Sequence, residues 1–257
     1  MGQDISGEPQ APEATRAFTK ALLRDLQALE LMLAGGRIES GQRRIGAEQE
    51  MFLVNRGWRP APSALEVLAK LEGPYTPELG LYNLEANIEP RFLEGHCFSD
   101  LERRTVELVS DAREAAREAG CEIVLTGILP TLSNSDVTID NITPKARYYA
   151  LNRAFGEMRQ DHPYKLRILG SDELYMEHDS VMLESCNTSF QVHLQVDPDE
   201  FAHVYNVAQV ATAPVMAAAV NSPTLFGKRL WHETRIALFQ QSVDTRRGAL
   251  HMRDMSP

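Results

Sequence analysis

Residues 82–90, YNLEANIEP, carry the pattern that decides the fold. In this stretch Leu84, Ala86 and Ile88 alternate with two glutamates and two asparagines. Because successive side chains of a β-strand point to opposite faces, the alternation predicts a strand with one apolar face and one acidic face. Neighbouring carboxylates on one face repel each other, so the acidic face requires a compensating interaction.

Two other stretches alternate in the same way. Residues 43–54 (RRIGAEQEMFLV) place Glu48 and Glu50 on one face, and residues 185–196 (SCNTSFQVHLQV) place polar side chains opposite an apolar set. The polar side chains of the second stretch are Ser189, Gln191, His193 and Gln195. If all three strands belong to one sheet, their polar faces merge into one surface with four carboxylates, an imidazole and several amides.

This merged face has two interpretations. Antiparallel sheets commonly keep one solvated face, and glutamates on such a face are ordinary surface residues. Alternatively, carboxylates at this density have raised pKa values or hold a cation, and oxygen ligands suit Mg²⁺ or Mn²⁺, the imidazole favouring Mn²⁺. Lys, Arg and Thr are absent from these outward positions, which weakens the first interpretation. Because Mg²⁺ usually also takes phosphate oxygens of a substrate, the second predicts metal-assisted phosphate chemistry.

Single polar residues are less informative than the merged face. A lone histidine on a polar strand face, such as His193, is more often a hydrogen-bonded surface residue than a ligand. Lys145 and Arg147 form a basic segment that solvated helix faces also produce. Arg235 differs from them, because it lies between Trp231 and the apolar residues IALF, where a charge needs a partner.

The order of elements predicts an α+β protein. Hydrophobic spacing predicts helices over 12–34, 62–72, 99–120, 144–159 and 198–221. Ser99 is the expected N-cap of the third helix and Gly120 its end, and residues 121–129 read as a buried strand. No glycine-rich loop connects a strand to a helix, which argues against Rossmann and P-loop architectures and favours a largely antiparallel sheet.

Length and charge restrict the class of protein. The chain has 257 residues, enough for one large domain, and its formal net charge of −10 argues against nucleic-acid binding. No uninterrupted apolar stretch of about 18 residues predicts a membrane span. Three widely spaced cysteines indicate a reducing compartment, and hence a cytoplasmic location. We expect residues 1–11 to be disordered and 12–257 to form a single domain.

Five segments together are similar to the glutamate–cysteine ligase family, in its plant-like and bacterial carboxylate–amine ligase branches. They occur in the order of the family motifs and are IGAEQE (45–50), LEANIEP (84–90), PKARYYAL (144–151), SFQVHLQVD (189–197) and AAAVNSPTLFGK (217–228) followed by Arg235. The resemblance implies a glutamine synthetase-like fold, in which a curved, largely antiparallel sheet backed by helices cradles Mg²⁺ ions and ATP.

The resemblance also implies an activity and roles for individual residues. ATP phosphorylates the γ-carboxylate of glutamate, and the amine of cysteine or of another amino compound then displaces phosphate to form an amide. The implied metal ligands are Glu48, Glu50, Glu85, Glu89 and His193. Gln191 and His193 are expected on the nucleotide face, and Arg147 is expected to contact phosphate. Arg235 is expected to bind the glutamate carboxylate or the transferred phosphoryl group.

Alternatives stay open at this point. The same fold could use a different carboxylate or amine, since no thiol pocket is legible in the sequence. A non-catalytic nucleotide- or metal-sensing module is a second alternative, and an interaction protein with a solvated sheet is a third. Family enzymes usually continue well past the Arg235 motif, so we expect the C-terminal part to be lacking. The N-terminal helix could pack on the core or on a second copy, so homo-oligomer formation is also open.

Overall fold

The computed structural model describes residues 12–160 and 162–244. The predicted disordered segment 1–11 lies outside the described residues. In chain order the elements are α1 Pro12–Ala34, β1 Arg44–Val54, α2 Ala64–Leu68, β2 Tyr75–Pro77, β3 Asn83–Phe92, α3 Cys97–Glu118, β4 Glu122–Val124, α4 Ala146–Arg159, β5 Tyr164–Leu169, β6 Glu173–His178, β7 Phe190–Leu194, α5 Phe201–Ala219, β8 Thr224–Leu225, β9 Lys228–Arg229 and α6 Arg235–Ser242. This mixture of helices and antiparallel strands is the predicted α+β class.

The three alternating stretches form one antiparallel sheet around β1. On one side of β1 lies β3, followed by β2. On the other side, β7 pairs with residues 45–49 of β1 and β4 pairs with residues 52–54. The prediction that these stretches share a sheet is therefore confirmed, and β1 lies between the other two.

The apolar face of β1 and β3 packs against α2 and α3. Met51, Leu53, Leu84 and Ala86 are fully buried in this first core. One stripe of α3 covers them, and it consists of Cys97, Leu101, Leu108, Val109, Ala112, Ala115 and Ala116. The 3.6-residue period of the helix meets the two-residue period of the strands here, as the sequence predicts.

A second core covers part of the opposite face of the same sheet. Phe52 and Val54 continue the face that carries Glu48 and Glu50, but both are fully buried together with Tyr82. Residues of the 128–142 loop, of β5 and β6, and of α6 close this core. One face of β1 therefore changes from acidic to apolar along its length, and the carboxylates lie at the margin of the second core.

Several predicted boundaries were wrong. Helix α3 begins at Cys97, so Ser99 lies inside it and is not the N-cap, whereas Gly120 follows the helix with a φ of +77° as a terminating glycine should. The strand predicted over 121–129 is regular only over Glu122–Val124, and a single bridge joins Ile128 to Asn187 further on, because the chain then enters the loop that closes the second core. The β5–β6 hairpin was not predicted.

Helices α1 and α5 and the apolar face of β7 are largely exposed among the described residues. No residue of α5 is buried, and the described side chains of α1 are exposed. Phe190, Val192 and Leu194 of β7 are also exposed, so no described helix covers the apolar face of this strand. No helix within 12–160 and 162–244 has the length and apolar character needed to cross a bilayer.

Candidate active site

Strand pairing brings the predicted acidic residues into adjacent rows. Glu50 of β1 lies opposite Glu85 of β3. One row further along, Glu48 has Asn87 as its partner on β3 and Gln191 as its partner on β7. Side chains directly opposite each other on one face are close enough to interact, so these residues form one continuous polar surface.

Three carboxylates converge at the centre of this surface. Oxygen atoms of Glu50, Glu78 and Glu85 lie within 4.8 Å of one another. Two oxygen ligands of one Mg²⁺ ion, each at about 2.1 Å, lie at most about 4.2 Å apart, so these oxygens reach ligand spacing after a small side-chain movement. All three side chains are partly accessible, so a substrate phosphate can reach the same ion. The donor set and its spacing therefore fit a hard divalent cation.

Glu78 was not predicted from the sequence. It directly follows β2, in which Thr76 lies opposite Glu85. The second core holds its backbone, because the Tyr148 hydroxyl donates a hydrogen bond of 3.1 Å to the Pro77 carbonyl and the Thr143 hydroxyl donates one of 2.5 Å to the Glu78 carbonyl. Thr143 directly follows the 128–142 loop, whose function the sequence does not reveal. This loop therefore leads into a residue that anchors the backbone of Glu78.

Electrostatics at Glu78 favour a cation. Burial, followed by the charges of Glu85, Glu50 and Glu184, raises the pKa of Glu78 to about 8, although Arg147 acts to lower it. A carboxyl group with this pKa is largely protonated at neutral pH unless positive charge arrives. A bound divalent ion would supply that charge, and the three carboxylates would then serve as its ligands.

Glu50 is held in place by β7 and the residue before it. Its carboxylate accepts hydrogen bonds from the Ser189 backbone amide at 2.6 Å, the Ser189 hydroxyl at 3.1 Å and the Gln191 side-chain amide at 3.3 Å. Burial raises the pKa of Glu50, the bonds from Ser189 lower it, and the charges of Glu85 and Glu48 raise it again. The net shift is upward, so Glu50 also gains from a neighbouring cation.

Glu184 is a second acidic residue that the sequence did not reveal. It belongs to the 3₁₀ turn Val181–Cys186, whose other side chains mostly enter the second core. Burial, followed by the charge of Glu50, raises the pKa of Glu184 to about 7. Its side chain is partly buried and lines a cavity that Glu78 also lines.

The remaining predicted ligands, His193 and Glu89, have different surroundings. His193 Nε2 lies 3.4 Å from Glu48 Oε1, so both are at the open edge of the polar surface. The Glu89 carboxylate lies 3.7 Å from Arg104 Nε of α3 and is mostly exposed. The pairing of β1 with β3 shifts register beside Glu89, between Ile45 and Ala47. The structure therefore brings Glu48 and His193 to the site and places Glu89 outside the three-carboxylate cluster.

Arg147 lies beside the cluster. Its guanidinium stacks 4.7 Å from the centre of the Tyr148 ring and donates a hydrogen bond of 2.8 Å to the Tyr148 hydroxyl. It is also near enough to Glu78 to lower the pKa of that carboxyl. The structure therefore places this predicted phosphate contact at the margin of the site.

Arg235 is held by protein groups. It donates to both oxygens of Glu233, at 2.5 and 2.9 Å, and to the Thr188 carbonyl at 2.7 Å. Burial alone would raise the pKa of Glu233, but hydrogen bonds from Arg235 and Ser222 outweigh it and lower the pKa. A Cβ on Gly127 would lie 2.8 Å from Arg235 Nε, so only glycine leaves room for the guanidinium. Arg235 thus supports the backbone that leads into Ser189.

The sequence model of glutamate-cysteine ligase family 2 matches residues 44–256. The chain belongs to this family. No curated protein matches the chain significantly. All five segments that suggested glutamate–cysteine ligases lie inside the matched range, and membership in the family implies carboxylate–amine ligase activity in general. The carboxylate cluster and its flanking Arg147 also lie inside that range.

Proposed function

We propose that this glutamate-cysteine ligase family member is an ATP-dependent enzyme that joins the γ-carboxylate of glutamate to the amine of cysteine or of another amino compound. The observation that supports this most is the convergence of Glu50, Glu78 and Glu85 on the open face of an antiparallel sheet. We further propose that the sheet is of the glutamine synthetase type. A mere solvated face would not need three carboxylates within 4.8 Å.

The proposed reaction has two steps. An oxygen of the glutamate γ-carboxylate attacks the terminal phosphorus of ATP, and ADP leaves with the electrons of the broken P–O bond. The amine nitrogen then attacks the acyl carbon, phosphate leaves, and the nitrogen loses its proton. A bound Mg²⁺ or Mn²⁺ supplies neutralisation of phosphate charge and alignment of the reacting groups.

The positions of the residues suggest which of them bind the ion and which face the nucleotide. Glu50, Glu78 and Glu85 hold the ion, since their oxygens converge. Gln191 and His193 share the same face of β7 and border the cluster, so they face the nucleotide. Their neighbour Glu48, whose Oε1 lies 3.4 Å from His193 Nε2, borders the cluster on the same face.

The two arginines act at different places. Arg147 lies next to Glu78, where its guanidinium would contact a phosphate group of the nucleotide. Arg235 orders the backbone at Thr188, and the next residue, Ser189, binds Glu50. For Arg235 to bind the glutamate carboxylate or the phosphoryl group as well, its double contact with Glu233 would have to open.

The decisive experiment is ADP release from Mg-ATP by the purified chain. Glutamate is supplied with cysteine, with a panel of other amines, or alone. We expect release that requires glutamate and one amine and that is abolished in Glu85→Gln. Glu102→Gln, an exposed carboxylate on α3 behind the sheet, is the matched control and should retain activity. ATP binding without amine-dependent release would instead favour the sensing module, and no ATP binding would overturn both.

A further inference from the structure

The peptide group between Thr188 and Ser189 connects the carboxylate cluster to Arg235. Its N–H, which belongs to Ser189, donates a hydrogen bond of 2.6 Å to Glu50 Oε2. Its carbonyl, which belongs to Thr188, accepts one of 2.7 Å from Arg235 Nη1. Because a trans peptide group is planar, its N–H and its carbonyl point in opposite directions. A cation and an anion therefore bind the two ends of one peptide dipole.

We propose that Arg235 is a positioning residue for the metal ion: it fixes this peptide group, and through it holds the Glu50 carboxylate in one orientation beside Glu78 and Glu85. Arg235 then acts on metal affinity before any substrate is bound, rather than as a contact of the glutamate carboxylate or of the phosphoryl group. This inference rests on the proposed metal-dependent function and names a residue that controls its metal site.

Glu50 requires such an anchor because it lies directly opposite Glu85 in the sheet. Like charges at opposite positions of one face repel each other, which favours side-chain orientations that point apart. Ser189 opposes this movement, since its N–H and its hydroxyl both donate to Oε2 of Glu50. Its carbonyl also accepts a hydrogen bond of 2.9 Å from the Glu50 N–H, so one residue holds both the backbone and the side chain of Glu50.

The two oxygens of Glu50 are held unequally. Oε2 accepts both donors of Ser189, at 2.6 and 3.1 Å. Oε1 accepts a longer hydrogen bond of 3.3 Å from Gln191 Nε2. Because a carboxylate oxygen has two lone pairs, Oε2 is fully engaged and Oε1 keeps capacity for a further partner. The bonds from Ser189 therefore select Oε1 as the oxygen of Glu50 that is available to a cation.

Glu233 directs the guanidinium of Arg235 towards the peptide group. It accepts hydrogen bonds from Nε at 2.5 Å and from Nη2 at 2.9 Å, which leaves Nη1 for the Thr188 carbonyl. Glu233 is only 6% exposed, and the Ser222 hydroxyl and the Asn221 N–H also donate to it. Since the donors of a guanidinium form a rigid fork, fixing two nitrogens also fixes the third.

The other polar groups of Thr188 leave one rotation for Arg235 to control. Thr188 is 2% exposed, its N–H donates a hydrogen bond of 3.0 Å to the Gly127 carbonyl, and its hydroxyl donates to the Thr126 carbonyl. These bonds fix the residue but not the rotation about its Cα–C bond, which sets the direction of the Ser189 N–H. Hydrogen bonds in a chain also polarise one another, so the guanidinium strengthens this N–H as a donor.

The test is calorimetric titration of the full chain, freed of metal, with Mn²⁺ in the absence of ATP and glutamate. Arg235→Lys keeps a positive charge beside Glu233, but its single nitrogen cannot reproduce the fork that also reaches Thr188. We expect Arg235→Lys to bind Mn²⁺ about tenfold more weakly, as is typical when a partner of a metal ligand is lost. Arg229→Lys, which changes an exposed arginine paired with Asp172, is the matched control and should bind like the wild type.

Two further measurements separate positioning from a general loosening of the fold. Ser189→Ala, which removes the hydroxyl and keeps the N–H, should weaken Mn²⁺ binding by about three- to tenfold. In protein labelled with ¹⁵N-serine, the amide proton of Ser189 should move upfield in Arg235→Lys, because a weaker hydrogen bond shields the proton. The amide proton of Ser110, an exposed residue of α3, should not move.

Unchanged Mn²⁺ affinity in Arg235→Lys, or a Ser189 amide proton that does not move, would overturn the positioning role and leave the ligase proposal intact. Lost ADP release that added glutamate restores, with unchanged Mn²⁺ affinity, would instead make Arg235 a substrate contact. Should Arg235→Lys fail to fold, the double variant Arg235→Gln, Glu233→Gln decides in its place, because neither charge of the pair remains. A wild type that does not bind Mn²⁺ would overturn the metal site and this proposal together.

Discussion

Glu50 of β1 and Glu85 of β3 lie directly opposite each other in the sheet, and no lysine or arginine among the described residues forms an ion pair with either of them. Polar donors partly compensate: Ser189 and Gln191 donate to Glu50, and Thr76 and Asn87 donate to Glu85. Hydrogen bonds orient the two carboxylates but leave their charges unbalanced. A divalent cation bound between Glu50 and Glu85 would balance these charges.

Removal of one of these charges should stabilise the metal-free protein. Like charges directly opposite on antiparallel strands destabilise a sheet, so Glu85→Gln should raise the free energy of unfolding in EDTA by about 0.5–1 kcal/mol. The wild type should gain about 2.7 kcal/mol when Mg²⁺ is present at 100 times its dissociation constant, and the variant should gain much less. Urea denaturation with and without Mg²⁺ measures both effects. A wild type that is indifferent to Mg²⁺ and to Mn²⁺ would contradict the metal site.

The ligand set that the structure indicates includes Glu78, whereas the set predicted from the sequence includes Glu89 instead. Glu78→Gln should weaken binding of Mn²⁺ by about 10- to 100-fold, because it removes one of three converging carboxylates. Glu89→Gln should leave the affinity nearly unchanged, since Glu89 pairs with Arg104. Calorimetric titration with Mn²⁺ compares the two isosteric changes. The reverse order of effects would restore the sequence-based set.

The Arg235–Glu233 pair should contribute to stability. Glu233 is 6% exposed and Arg235 is 21% exposed, so Arg235→Ala leaves a buried carboxylate without its main partner. We expect a loss of about 3 kcal/mol in the free energy of unfolding. The double variant Arg235→Ala, Glu233→Gln should recover part of this loss, because the unpaired charge is gone. Urea denaturation of both variants is the measurement, and an unchanged stability of Arg235→Ala would show that the pair is dispensable.

The contribution of Glu184 to the stability of the metal-free protein should fall as the pH rises. The pKa of Glu184 is raised from its ordinary value of 4.5 to about 7, so between these values the folded state binds more protons than the unfolded state. Stability from this group is complete below about pH 4.5 and is lost progressively up to about pH 7. Because Glu184 is partly exposed and solvent screens its charge, we expect a loss of about 2 kcal/mol.

Glu184→Gln tests this dependence. The variant should show a drop in the free energy of unfolding between pH 5 and pH 8 that is about 2 kcal/mol smaller than in the wild type. Glu78, with a pKa raised to about 8, contributes a slope of the same sign that remains in the variant. Denaturation in EDTA at both pH values, with Glu157→Gln as the control, provides the comparison. Parallel slopes in Glu184→Gln and the wild type would rule out an effect of Glu184.

Local pattern predicted the acidic face that β1 and β3 share. The period of two in β1 and β3 places Glu48, Glu50 and Glu85 on one face, and any antiparallel pairing in the correct register brings them together. The same period places the apolar set on α2 and α3. Glu89 follows the alternation in the sequence, but its carboxylate does not lie with the others. A register shift beside it ends the regular pairing of β1 with β3.

The residues that were missed lie outside periodic structure. Glu78 follows a three-residue strand, and Glu184 lies in a 3₁₀ turn, so neither belongs to a run long enough to assign a face. Their roles depend on contacts distant in sequence, such as the hydrogen bond from Tyr148 to the Pro77 carbonyl. No local signal in the sequence encodes such a contact.

The amino-acid sequence by itself determined the α+β class, the identity of the central strands and the acidic face they share, because side-chain period is a local property of the backbone. It also carried the motifs of the glutamate-cysteine ligase family. Only the tertiary structure decided which carboxylates converge. That outcome depends on strand register, on the second core that covers part of the polar face, and on the loops that this core anchors. Each of these features joins residues that are far apart in the chain.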